Sequence, residues 1–262
     1  MSTTVKVESS DASVRVQRET VAQRVLTQFG DRLPDLRLLC FLDTEDWQPF
    51  RDYAGEANRG FYTPLKRDTF TWPPWPDYVM AHIFVNDPAS ISVGRAFDHV
   101  IYLHGSSCED QVGLTMTLAH ELQHFVQYGQ PPKVWAENSL IPMLSRDVIA
   151  TSGLQWSDIP IEREARTVSK RIAEKLFDAD RVARYIDTRI AGALNEADRA
   201  GWKFVRELST SVPYDLESAM RLIYKRLCSF RRNIKGLLER LKDDPDCAPV
   251  DVNELCDGYG SS

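Results

Sequence analysis

Two histidines four residues apart, with a glutamate directly after the first, lie in a segment whose pattern predicts a helix. Residues 120–124 have the form H-E-x-x-H. Residues four apart share one face of an α-helix, so the imidazoles of His120 and His124 can bind one Zn²⁺ ion. Glu121 lies beside them, where its carboxylate can act as a general base on a water molecule. The spacing therefore predicts a zinc site that performs hydrolysis.

The residues around the motif predict where this helix begins and ends. Ser107 followed by Asp110 resembles a capping box, and Gly129 follows the last residue of the periodic pattern. The pattern predicts one helix from about 108 to 128, with the histidines in its C-terminal half. An apolar stripe at helical spacing marks the opposite face: Leu114, Leu118, Leu122 and Phe125.

Three segments before this helix are rich in β-branched and aromatic residues, as strands are. They cover residues 36–42, 79–85 and 98–104. The turn Gly105-Ser106-Ser107 would then connect the third strand to the helix. The fold class expected from this order is α+β with a small β-sheet.

Strands followed by an H-E-x-x-H helix resemble the zincin metallopeptidases. The resemblance covers roughly residues 98–176 and implies a compact core that holds one Zn²⁺ ion per chain. In that family an edge strand lines the cleft and pairs with extended substrate. The strand at 98–104 is a candidate for this edge strand, and it can equally be a buried strand.

A catalytic zinc site needs a third protein ligand and an open fourth position. No histidine follows His124, which excludes the metzincin pattern, so a downstream acid must serve as in the gluzincin group. The segment 159–176 predicts a second amphipathic helix. Glu162 and Glu164 flank its apolar stripe on opposite sides, so the periodicity leaves both acids open as ligands.

The same segment resembles the Glu-x-x-Ala helix of gluzincin-like peptidases, including compact intracellular ones that cleave transcriptional repressors. This resemblance implies that Glu162, three residues before Ala165, is the third metal ligand. Those families usually follow the alanine with Asp or Asn, which orients a zinc-binding histidine. This chain has Arg166 at that position.

Zincin sites usually add a side chain that donates a hydrogen bond to the developing oxyanion. The candidates by residue type are His104, Tyr102, Tyr128 and Tyr185, and the sequence does not choose among them.

The composition is that of a globular protein: 43% of the 262 residues are hydrophobic and 27% are charged. The net charge of −6 argues against nucleic acid as the main partner. No apolar run is long enough for a membrane span, and no apolar signal segment begins the chain. Five scattered cysteines without a C-x-x-C pair are typical of free thiols in a reducing compartment. The expected location is the cytoplasm.

Four regions are expected along the chain. Residues 1–15 are polar and predicted to be disordered, residues 16–176 form the metallopeptidase core, residues 177–242 form a helical extension, and residues 243–262 form a flexible tail. The helices of the extension are expected at about 178–195, 194–208, 213–228 and 229–242. The extension is a possible surface for a protein partner.

The function expected from these features is that of a zinc metallopeptidase acting on a specific protein or peptide substrate. His120, His124 and Glu162 are the expected ligands, and Glu121 is the expected general base. The alternative is a regulatory or protein-interaction module on a zincin scaffold, with structural zinc or none, which the departure at Arg166 favours.

Overall fold

The structure, a computed structural model, describes residues 3–44, 60–64, 97–130 and 158–227. Within these residues the chain forms four β-strands in one sheet and seven α-helices, which confirms a mixed α+β fold. None of the helices among the described residues has a stretch long and apolar enough to cross a membrane.

The four strands form one mixed sheet in the order β1-β2-β4-β3. Strands β1, β2 and β4 are parallel, and β3 pairs antiparallel with β4. Every residue of β2 and β4 is buried, so these two strands form the centre of the described sheet. The strands are β1 (Thr3–Glu8), β2 (Leu38–Asp43), β3 (Gly60–Pro64) and β4 (His99–His104).

The predicted strands at 36–42 and 98–104 are confirmed as β2 and β4, and the segment 79–85 lies outside the described residues. Strand β4 lies between β2 and β3, so it is a buried strand and not an edge of the sheet. Among the described strands, β1 and β3 are the outer ones.

The first fifteen residues differ from the expectation of a disordered segment. Residues 3–8 form β1, and helix α1 (Ala12–Phe29) follows and connects β1 to the parallel strand β2. Asp11 caps this helix, because its carboxylate accepts hydrogen bonds from the backbone N–H groups of Ser13 and Val14. The polar residues of β1 fit an outer strand in which only Val7 is fully buried.

The motif helix begins later than expected. A short helix α2 (Ser106–Glu109) follows β4, the backbone is extended at Asp110, and α3 runs over Gln111–Tyr128. The Asp110 carboxylate accepts from Val112 N at 2.7 Å and Gly113 N at 3.1 Å. The predicted start at 108 and the predicted cap at Ser107 are therefore wrong, because Asp110 is the residue that satisfies the first free N–H groups of α3.

Four further helices follow, and the second predicted amphipathic helix is confirmed as the first of them. The helices are α4 (Pro160–Phe177), α5 (Ala179–Ala191), α6 (Glu196–Glu207) and α7 (Leu216–Leu227). The predicted helix at 229–242 and the predicted tail at 243–262 lie outside the described residues.

Helices α3 to α6 share one hydrophobic cluster, which crosses the expected boundary between 176 and 177. The Nζ of Lys170 in α4 also donates to the backbone oxygens of Arg206 and Leu208, where α6 ends. The first helices of the expected extension therefore belong to the same core as the motif helix. The buried members of the cluster are Val112, Met116, Ala173, Phe177, Val182, Ile186 and Val205.

The chain divides into two compact units at three points, two of which lie inside α3 and α4 and the third directly after α6. One unit comprises Met1–Phe125 and Val168–Leu208, and it contains the sheet and the shared cluster. The other comprises Val126–Thr167 and Ser209–Ser262, and it contains the last turn of α3, the first turns of α4, and α7.

Candidate metal centre

The two histidines of the motif lie on adjacent turns of α3, and their Nε2 atoms face each other at 3.1 Å. The two rings are almost perpendicular, at 88°, with centroids 4.6 Å apart. Two nitrogen ligands of one tetrahedral zinc ion lie about 3.3 Å apart, because each Zn–N bond is about 2.0–2.1 Å long. The same distance fits a hydrogen bond between one ring N–H and the other ring nitrogen, which a metal ion would replace.

Glu162 in the first turn of α4 adds an oxygen donor to this pair. His120, His124 and Glu162 each offer one ligand atom, and all these atoms lie within 4.8 Å of one another. Among the residues that the structure describes, this is the one group of three or more His, Cys, Asp or Glu side chains arranged in this way. All three are half-buried, as a site that admits water or substrate requires. Two imidazoles and one carboxylate form a donor set that suits catalytic zinc.

The first turn of α4 has a local sequence that starts a helix at this place. Pro160 occupies the first helical position, where its fixed φ suits the helix and its missing N–H costs nothing. The backbone oxygen of Ile159 accepts from Arg163 N at 2.9 Å, which closes the first turn. An acid such as Glu162 is favoured in this turn by the helix dipole.

Glu164, the other acid that the sequence left open, is bound to a side chain of α3. The Nε2 atom of Gln127 donates to Glu164 Oε2 at 2.8 Å and to the backbone oxygen of Ile161 at 3.0 Å. The structure thus brings Glu162, and not Glu164, into the group with the two histidines.

Glu121, the expected general base, is almost fully buried in α3, with 8% of its surface exposed. It follows His120 directly, so the helix turns it by about 100° from that histidine. Its carboxylate is therefore shielded from bulk water in the same turn that carries the first histidine.

Two candidate oxyanion donors lie in the sheet. Tyr102 is completely buried in β4, and its hydroxyl group donates to Asp43 Oδ2 at 3.1 Å. His104 is 4% exposed and stacks on the Tyr102 ring, with centroids 6.0 Å apart. The Tyr102 hydroxyl is therefore bonded at the C-terminal end of β2, which makes it a poor candidate for an oxyanion donor.

A third candidate, Tyr185 of α5, lies against α3. A Cβ atom added to Gly113 would lie 2.5 Å from the Tyr185 hydroxyl oxygen, so the glycine permits this close contact. Gly113 precedes His120 by seven residues, which is close to two helical turns, so both lie on the same side of α3. The fourth candidate, Tyr128, is half-buried at the last residue of α3.

Gln127 is the residue of this region that the sequence patterns did not single out. It is completely buried, and it follows His124 by three residues, so it lies on nearly the same side of α3 as the two histidines of the motif. A polar residue three positions after His124, on nearly the same face of the predicted helix, was the available signal.

Comparison with known proteins adds no relative from which a function can be transferred. No protein-family model matches the chain, and no curated protein and no solved structure matches it. The site and the mixed α+β fold are therefore the basis for assigning a function.

Proposed function

We propose that this protein is a zinc metallopeptidase that holds one Zn²⁺ ion with His120, His124 and Glu162. The observation that carries the proposal is the position of Glu162: this carboxylate, 38 residues after the second histidine, lies within 4.8 Å of both imidazoles. An H-E-x-x-H string can occur by chance, but chance gives no reason for an acid from another helix to join the pair.

A bound zinc ion and Glu121 would have separate roles in the proposed hydrolysis. A bound zinc ion would supply Lewis-acid chemistry at this position, because it lowers the pKa of a water molecule and polarises a carbonyl oxygen. Glu121 takes a proton from the attacking water and delivers a proton to the leaving amine. The burial of Glu121 supports this role, since a carboxylate shielded from bulk water exchanges its proton with a bound reactant.

We further propose that the sheet and α3 form a zincin-like core that takes an extended protein or peptide substrate. The order β4, α2, α3 supports this, because the motif helix follows a central strand of the sheet. Strand β3, which is antiparallel and outermost among the described strands, is the better candidate for pairing with substrate than β4. The compact core supports a narrow range of protein targets.

The test combines zinc content and peptide cleavage on one set of variants. Zinc per chain is measured by elemental mass spectrometry, and cleavage is measured on a degenerate peptide library by mass spectrometry. We expect about one zinc ion in the wild type and in Glu121→Gln, and almost none in His120→Ala. Glu121→Gln should lose cleavage by about 10²-fold or more, because its amide cannot accept the proton.

The matched control is Glu109→Gln, the same change at an exposed acid of α2. It should keep both zinc and cleavage. Cleavage by Glu121→Gln at the wild-type rate would rule out the proposed base, and a wild type without zinc would rule out the metal centre.

The second candidate is a protein-interaction module with structural zinc. Half-buried Arg166 favours it, because the Glu-x-x-Ala helices of gluzincin-like peptidases usually carry Asp or Asn at this position. Under this alternative the wild type binds zinc without cleaving any peptide, and a partner still binds to His120→Ala.

A further inference from the structure

We infer that Gln127 is a positioning residue of the metal centre: its side-chain amide fixes the first turn of α4 and thereby the carboxylate of Glu162. This inference rests on the proposed function, because it concerns the third ligand of the same site.

The side-chain amide of Gln127 donates two hydrogen bonds, one to a residue before Glu162 in the chain and one to a residue after it. Gln127 Nε2 donates to the backbone oxygen of Ile161 at 3.0 Å and to Glu164 Oε2 at 2.8 Å. Ile161 directly precedes Glu162, and Glu164 follows it by two residues. Gln127 is completely buried, so both N–H groups of its amide are held away from competing water.

Two bonds at these points restrain both the position and the rotation of α4. Successive residues on a helix are about 100° apart, so Glu162 and Glu164 point in directions about 160° apart. A rotation of α4 about its axis would therefore exchange which acid lies toward the histidines. The bond to the Ile161 carbonyl holds the backbone, and the bond to Glu164 holds the competing carboxylate on its own side.

The restraint on α4 should affect metal affinity in particular, because a metal ion tolerates only small displacements of its ligands. Ligand atoms must lie within about 0.2 Å of their ideal distances from the ion. Replacing a residue that orients a metal ligand through hydrogen bonds typically lowers the metal affinity 10–100-fold. Gln127 also follows His124 by three residues on one continuous helix, so it links Glu162 to the two imidazoles through the backbone of α3.

The experiment measures zinc affinity in the full chain by competition with a chromophoric chelator, and the melting temperature of the zinc-free protein. Gln127→Met removes the donor at nearly constant volume and should weaken zinc binding 10–100-fold. Gln127→Asn keeps the amide but shortens the side chain by one methylene group, so it cannot reach both the Ile161 carbonyl and Glu164 and should weaken zinc binding by about 3–10-fold.

The control is Gln123→Met in the same helix. Gln123 is 4% exposed, and its Oε1 atom has no hydrogen-bond partner among the described residues. This replacement of a second buried glutamine should change zinc affinity by less than about threefold. It separates the bonds made by Gln127 from the general effect of an altered amide in α3.

The outcomes separate this inference from the proposed function. Wild-type zinc affinity in Gln127→Met would overturn the positioning role and leave the metal centre intact. A wild type that takes up no zinc would overturn the metal centre, and the positioning role with it. If Gln127→Met does not fold, Gln127→Asn decides: a folded variant with weakened zinc binding supports the role, and a folded variant with wild-type zinc affinity overturns it.

Discussion

Glu162 and Glu164 lie two residues apart in α4, but only one of them is grouped with the histidines. Glu162→Gln should weaken zinc binding by about 100-fold or more, because a neutral amide replaces an anionic ligand. Glu164→Gln should weaken it by less than about threefold, since the new amide oxygen still accepts from Gln127. A chelator-competition titration of both variants checks this. Equal losses would mean that the two acids share the site.

His99 in β4 is a buried histidine outside the candidate metal centre. It is 2% exposed, its Nδ1 atom lies 2.9 Å from the Tyr62 hydroxyl oxygen, and its ring packs 5.0 Å from that of Phe125. Burial lowers the pKa of His99 to about 4, against a smaller opposing effect of Asp98. The folded protein therefore keeps this ring neutral at a pH where the unfolded chain takes up a proton.

The pKa of His99 predicts how stability depends on pH. As pH falls from about 6.5 to about 4, the unfolded state gains a proton at this site that the folded state lacks, so stability decreases. Urea unfolding at pH 7 and pH 4.5 should show that the wild type loses about 2–3 kcal/mol more than His99→Gln. Gln offers an oxygen for the Tyr62 hydroxyl but does not titrate. Parallel pH dependences in the two proteins would show that His99 does not titrate in this way.

The residues of the candidate site could be predicted only in part. The spacing of His120 and His124 fixes them on one face of any helix that contains them. The choice between Glu162 and Glu164 is different, because an apolar stripe has two edges and the periodicity treats them alike. The contact of Gln127 with Ile161 and Glu164 joins residues far apart in the chain, and no local pattern encodes it.

At the level of elements, long buried segments were predictable and polar boundaries were not. Strands β2 and β4 and helix α4 follow from dense apolar patterns. Strand β1 was missed because an outer strand buries few side chains, and its Thr-rich sequence has the composition of a disordered segment. The start of α3 was misplaced because both Ser107 and Asp110 are good cap residues, and only the extended backbone at Asp110 decides between them.

The packing of α3 against α5 depends on a glycine in the middle of a helix. Gly113→Ala would favour the helix by about 1 kcal/mol, but its Cβ would lie 2.5 Å from the Tyr185 hydroxyl oxygen. Tyr185 also packs edge-on against Trp202, so its displacement disturbs the cluster shared by α3 to α6. We expect a net loss of about 1–2 kcal/mol.

The sign of this effect should reverse when the tyrosine is removed. In a Tyr185→Ala background, Gly113→Ala meets no ring and should stabilise the protein by up to about 1 kcal/mol. Chemical unfolding of the two single variants and the double variant gives the coupling directly. A loss of stability of the same size in both backgrounds would show that Tyr185 is not the cause.

At the scale of the whole molecule, the candidate ligands belong to helices that also contribute to a buried hydrophobic cluster. Val112 and Met116 of α3 and Ala173 and Phe177 of α4 lie in one buried cluster with α5 and α6. The expected division into a core and a separate helical extension therefore does not describe the packing of α5 and α6. A sequence gives the order of helices, but the boundary of a core depends on which faces meet.

Zinc bound to α3 and α4 should therefore stabilise the fold as a whole. A ligand at 100 times its Kd adds about 2.7 kcal/mol when it binds the folded state alone. For a chain of this size that corresponds to an increase of roughly 5–10 °C in the melting temperature, measured with saturating zinc against the chelated protein. His120→Ala should show almost no zinc-dependent shift, because one imidazole and one carboxylate bind the ion weakly. Wild-type shifts in His120→Ala would mean that the stabilising zinc ion binds elsewhere, and the assignment of His120, His124 and Glu162 as the ligands would be wrong.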